Sequence, residues 1–177
     1  LEQGMANFVK YIIKYNKDRN IKFICSLKRL VSTKDQLENE LSFFRKYLNE
    51  EELIFLLKNS TINFKKSPYL SYELMTQSKL TVSCYSTMLR ENIALGNKVL
   101  SVNLMPNNIY DFPLNGICSL NRCTYTEFEQ RVDEIYRLSK EEYLTKIDGN
   151  PKELMEFNKS SSAIDKIKNT LDNFISD

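Results

Sequence analysis

Histidine is absent from this chain of 177 residues. The absence excludes Ser-His-Asp and Cys-His catalysis, every histidine-containing zinc site, and histidine-based pH switching. Glycine is scarce, with four residues in the whole chain, where a usual share is about 7%. Neither GxGxxG nor the P-loop pattern occurs, so the glycine-rich cradles for dinucleotides and nucleoside triphosphates are missing. The four cysteines, Cys25, Cys84, Cys118 and Cys123, form no CxxC pair. Only Cys118 and Cys123 are near each other, and Cys25 and Cys84 lie in apolar stretches. Buried free thiols in a reducing, cytoplasmic compartment fit this better than a metal centre. No run of about 18 apolar residues is present, so no membrane-spanning helix is expected. The opening Leu-Glu-Gln-Gly has no charged region before an apolar stretch, so it does not read as a signal peptide. The net charge of +2 is too balanced for a nucleic-acid binder that works by charge alone.

What is present is an ordinary globular composition, 42% hydrophobic and 27% charged. The length suits a single domain over 1–177 that buries roughly 70% of its unfolded surface without disulfide or metal. Met5, Phe8, Val9, Ile12 and Ile13 repeat at helical spacing, and Leu37, Leu41, Phe44 and Leu48 form a second helical stripe. Residues 21–25 (IKFIC) and 61–64 (TINF) read as short strands. The apolar run 53–57 fits a buried strand or a helix by periodicity alone; Glu50, Glu51 and Glu52 before it suit a helix N-terminus and tilt the reading to helix.

Residues 69–77 read as a helix, 80–84 as a strand, Tyr85-Ser86 as a turn and 87–95 as a helix. Gly96 sits where a helix end wants a left-handed residue. Residues 99–103 form the next strand, 104–115 a polar loop punctuated by proline, and 116–120 one more strand. Thr126 and Glu129 predict a capping box for a helix with Phe128, Val132 and Ile135 on one face. Ile164, Ile167, Leu171 and Phe174 mark a last helix. Short strands alternating with helices predict a Rossmann-like three-layer α/β/α domain with a mostly parallel sheet, the helices from about residue 124 packing on it.

Residues 78–103 carry the chemistry: strand, Ser/Thr turn, helix, glycine, strand. In open α/β sheets ligands bind beyond the carboxyl ends of the strands. Ser86 and Thr87 fall at that end, where free N–H groups and the helix dipole favour an anion and two hydroxyls add donors. Glu91, four residues on, shares a helix face with Thr87. Phosphate at the tip and ribose one turn down describe a nucleotide, although Ser and Thr also begin helices simply as caps. Asn103, Asn107, Asn108 and Asp111 either approach the ligand or shape the turn. Tyr110 and Phe112 either stack on a base or pack beneath the loop.

The string SKLTVSCYSTMLRENIALGNKVLSVN, residues 78–103, resembles the donor-site motif of GT-B glycosyltransferases. More narrowly, it is similar to that of bacterial surface-carbohydrate (lipopolysaccharide and capsule) transferases, whose pattern is aD-x-v-i-s-x-x-S-T-x-x-x-E-x-x-x-x-G-k-x-v. The resemblance implies that Ser86 and Thr87 hold the donor phosphate, that Glu91 holds the ribose, and that Gly96 closes the helix. Tyr85 stands where the family often has histidine, so a histidine contact to the donor is lost. Lys79 replaces an aspartate that usually begins the strand. The strand at 21–25 would match one that normally leads into a loop with proline and histidine; here Ser26-Leu27-Lys28-Arg29 follows. Tyr85, Lys28, Arg29 and Asn103 are thereby candidates for further donor contacts, the two basic residues being equally suited to a solvated loop.

The resemblance also implies a nucleotide-sugar as donor substrate, with no cofactor and no bound metal for the transfer. The complete enzyme would move a sugar onto a growing glycan at the inner face of the cell membrane. A GT-B enzyme has two such domains and this chain has room for one, so it is expected to need an N-terminal acceptor domain. No catalytic base is assignable. Two alternatives stay open on the same architecture. One is a nucleotide-sugar epimerase-like half, weakened by the missing histidine, and the other is a non-catalytic interaction module, which nucleotide binding would exclude.

Overall fold

The computed structural model describes residues 2–21, 23–26, 34–60 and 69–155. The fold is mixed α/β and Rossmann-like, around a parallel sheet of three strands. Strand β1 (Thr81–Ser83) leads through helix α5 (Thr87–Ala94) into β2 (Val99–Asn103). Before them come α1 (Glu2–Arg19), α2 (Lys34–Tyr47), α3 (Glu50–Lys58) and α4 (Leu70–Gln77). After them come β3 (Asn115–Gly116), β4 (Ser119–Asn121), α6 (Tyr125–Arg137), α7 (Lys140–Thr145) and β5 (Ile147–Asp148).

The sheet order is β1-β2-β4, with both pairings parallel. Ser83, Ser101 and Ser119 lie in one register row, and Asn103 and Asn121 in a later row on the same face. All five residues of β2 are buried. A strand covered on both faces needs an apolar run rather than strict alternation, which Val99, Leu100 and Val102 supply. At the start of β2, before β4 has begun, the Tyr143 hydroxyl of α7 donates to the Val99 carbonyl (2.7 Å) and accepts from the Val99 N–H (3.1 Å). Two backbone groups that no strand reaches are satisfied by one side chain.

Leu89 and Ile93 of α5 and Phe128, Val132 and Ile135 of α6 join β2 in the main core. Helix α1 lies against α6: Tyr15 meets Phe128 edge-on, and its hydroxyl donates to Asp133 at 2.7 Å. Gly4 lets the start of α1 approach the segment after β2, because a Cβ there would stand 2.6 Å from Met105 Cγ. A second core joins Ile13, Leu48 and Leu56.

Several expectations change. The predicted strand at 21–25 is reduced, among the described residues, to a single parallel bridge between Cys25 and Ser60. The predicted strand at 116–120 divides. Gly116 has φ +80, so the chain turns there; β3 pairs antiparallel with β5, and β4 joins the parallel sheet. The capping box is Thr124 with Glu127, two residues earlier than predicted. Glu129 instead lies 3.3 Å from Arg19 of α1. The predicted strand at 61–64 and the last helix lie outside the described residues. The helix over 53–57 forms as α3, with Asn49 and Glu52 as its capping box.

Candidate functional site

The carboxyl ends of β1, β2 and β4 share one edge of the sheet, because all three strands run the same way. From β1 the chain turns at Tyr85, whose φ is +41. Ser86 then takes an extended conformation (φ −88, ψ 132) as N-cap of α5, yet its side chain makes no capping hydrogen bond. Asn49, Thr124 and Ser139 all cap their helices with their side chains. The Ser86 carbonyl accepts from the Leu89 N–H at 3.1 Å, and the Ser86 hydroxyl caps neither the Thr87 nor the Met88 N–H.

Thr87 is exposed and Glu91 is half-buried one turn further along. The helix is held against β1 by fully buried Asn92, whose amide donates to Thr81 Oγ1 at 2.9 Å, while Asn97 donates to Asn92 Oδ1 at 2.9 Å. Tyr72 of α4 faces Glu91, and hydrogen bonding to that carboxylate pushes the phenol pKa up. Arg90 is exposed.

Tyr85 is 43% exposed, and its ring packs on Tyr110 with centroids 5.0 Å apart. Its hydroxyl reaches Met5 Sδ at 3.7 Å. Burial pushes its pKa up. Asn103 is buried at the end of β2, and its side chain belongs to the following loop. The amide donates to the Asn107 carbonyl (3.0 Å) and Asp111 Oδ1 (2.6 Å), and Oδ1 accepts from the Met105 N–H (2.9 Å). Phe112 is buried in the main core. Lys28 and Arg29 lie outside the described residues. The structure thus brings Tyr85, Ser86, Thr87 and Glu91 onto one turn and helix, with Asn103 beneath the neighbouring loop.

The chain matches, over residues 5–172, a family model described as "putative O-antigen biosynthesis protein". It belongs to that family. The expectation of surface-carbohydrate biosynthesis stands at this level. No curated protein and no solved structure matches the chain.

Sequence reasoning did not single out Arg122, which the fold brings to the same edge. Arg122 follows β4 with φ +54. Its guanidinium donates to both Asp111 oxygens, at 3.0 and 2.9 Å, and its N–H to the Asn103 carbonyl at 2.6 Å. The Arg122 pairing holds the Asp111 carboxyl below its ordinary pKa. The missed signal was the extent of β4, which runs one residue past the predicted strand and so delivers Arg122 to this edge. Among the described residues, no group of three or more His, Cys, Asp or Glu side chains is placed to hold a metal, and no helix is long and apolar enough to cross a membrane.

Proposed function

We propose that this chain binds the nucleotide-sugar donor of a glycosyltransferase that acts in O-antigen synthesis. The observation that carries the reading is the β1–turn–α5 junction. It presents Ser86 and Thr87 at a helix N-terminus whose cap hydroxyl is not used for capping, with Glu91 one turn further on the same helix. In this reading the first-turn N–H groups and the two hydroxyls take the donor phosphate, and the Glu91 carboxylate accepts the ribose hydroxyls. Tyr72 orients that carboxylate. As the glycosidic bond breaks, negative charge grows on the leaving phosphate, and oriented N–H groups with the helix dipole stabilise it. No metal is required for that role. The acceptor is presented by another domain or chain, which supplies the general base.

Thermal unfolding against CMP, CDP, UDP, GDP, dTDP and ADP tests the reading, with Ser86→Ala and Glu91→Ala beside the parent. Ligand at about ten times its dissociation constant adds about 1.4 kcal/mol, or about 3–6 °C at this size. One base should shift the parent and neither variant. A panel that shifts nothing, or shifts all three proteins alike, rejects the donor site.

A further inference from the structure

The loop between β2 and β3 is fastened across the carboxyl edge at three points, one at each strand of the parallel sheet. At β2, the Asn103 side chain holds the Asn107 carbonyl, the Asp111 carboxylate and the Met105 N–H. At β4, Arg122 forks onto both oxygens of Asp111. At β1, the Tyr85 ring packs on Tyr110. Tyr85 and Arg122 are two of the three non-glycine residues with positive φ among the described residues, and both lie within two residues of a strand's carboxyl end. Backbone held in that region by its surroundings is a known mark of ligand sites.

The chemistry of this rim differs from that of the phosphate turn beside it. It offers two aromatic rings, one of them 43% exposed, and a planar guanidinium. Arg122 has five N–H donors, and Asp111 occupies two of them. Because Asp111 already balances the charge of Arg122, the remaining donors suit neutral hydroxyls better than a second anion. An aromatic platform beside fixed polar donors matches a pyranose, which is apolar on one face and hydroxylated at its edge. The ring pair and the guanidinium stand at the two outer strands, two strand spacings or about 10 Å apart, and Asp111, next to Tyr110 in the chain, links them.

We propose that Tyr85, Tyr110 and Arg122 form the subsite for the transferred sugar, with the rings against its apolar face and the guanidinium donating to its hydroxyls. The inference rests on the donor-site reading above and adds residues to it. Asp111 and Asn103 act as positioning residues that fix Arg122 and the loop.

Calorimetric dissociation constants for matched pairs test it: UDP with UDP-glucose, GDP with GDP-mannose, dTDP with dTDP-glucose. In the parent, one sugar should tighten its nucleotide at least fivefold. Tyr110→Ala and Arg122→Gln should remove that increment and leave nucleoside diphosphate affinity within twofold. Tyr110→Leu, which keeps apolar bulk, serves if the alanine variant does not fold. Diphosphate binding with no sugar increment in the parent, or equal loss of both ligands in the variants, overturns the subsite and leaves the donor site intact. No binding of any nucleotide overturns both.

Discussion

Asp111 receives hydrogen bonds from the Asn103 amide and from two nitrogens of Arg122. The Arg122 bonds, ahead of every other influence, hold its carboxyl below the ordinary value of 3.8. A carboxyl depressed in the folded state contributes stability that is fully present above the unfolded value and disappears as pH falls through the folded one. Asp111→Asn should therefore melt below the parent by a constant margin above about pH 5, and the margin should close as pH drops below 3.8. A margin independent of pH down to unfolding would show that the charge on Asp111 contributes nothing. A second residue-scale consequence concerns the thiols. Cys118 is fully buried, and burial pushes its pKa up to about 11. Near neutral pH it should be the last of the four cysteines to react with a thiol reagent in the native protein, while all four react together in urea. Equal rates for Cys118 in both states would contradict its place in the core.

At the scale of the element, the start of α6 shows how neighbours choose between two equivalent local signals. Thr124 with Glu127 and Thr126 with Glu129 both have the spacing of a capping box. The helix uses the first, and Glu127 accepts from the Thr124 N–H at 2.7 Å. Glu129 is drawn to Arg19, which also holds Asp133 at 2.7 Å. Thr124→Ala should cost about 1 kcal/mol, read as a shift in the denaturant midpoint at unchanged slope. Thr126→Ala, at an exposed position inside the helix, should fall within about 0.5 kcal/mol of the parent. The reverse order would place the helix start at the later threonine. The apolar stripe is indifferent to this choice, since Phe128, Val132 and Ile135 are buried whichever cap begins the helix.

For the whole molecule, the contact to watch is Tyr143 on Val99, which ties the segment after α6 to the central strand. Tyr143→Phe keeps the ring in the core and leaves a buried N–H and a buried carbonyl without their partner. Each orphaned group costs about 1–3 kcal/mol, so the melting temperature should fall by roughly 4 °C or more at this size. A loss under about 1 °C would mean that water reaches Val99 and that the strand end is less closed than its burial indicates.

The local pattern was sufficient for β1, α5 and β2. The apolar runs, the Ser-Thr turn and Gly96, which has φ +80, each act over a few residues, and the chain needs no distant partner to express them. The same holds for the stripe of α6; for α3 periodicity leaves strand and helix open, and the carboxylates and the Asn49–Glu52 cap at its start go with the helix. From these the sequence alone determined a parallel α/β sheet and where Tyr85, Ser86, Thr87 and Glu91 fall on it.

Tertiary structure decided what depends on long-range pairing. Residues 116–120 carry strand character throughout, but which partner each half meets is set by β2 and β5, remote in the chain. Asn103 looks like any polar residue at a strand end until Asp111 and Asn107 close on its amide. Arg122 is one cation among 25 basic residues, and no local spacing marks it. It becomes distinctive only when β4 adds to the sheet and brings its guanidinium to Asp111, because side-chain pairing across strands is a property of register and not of sequence separation.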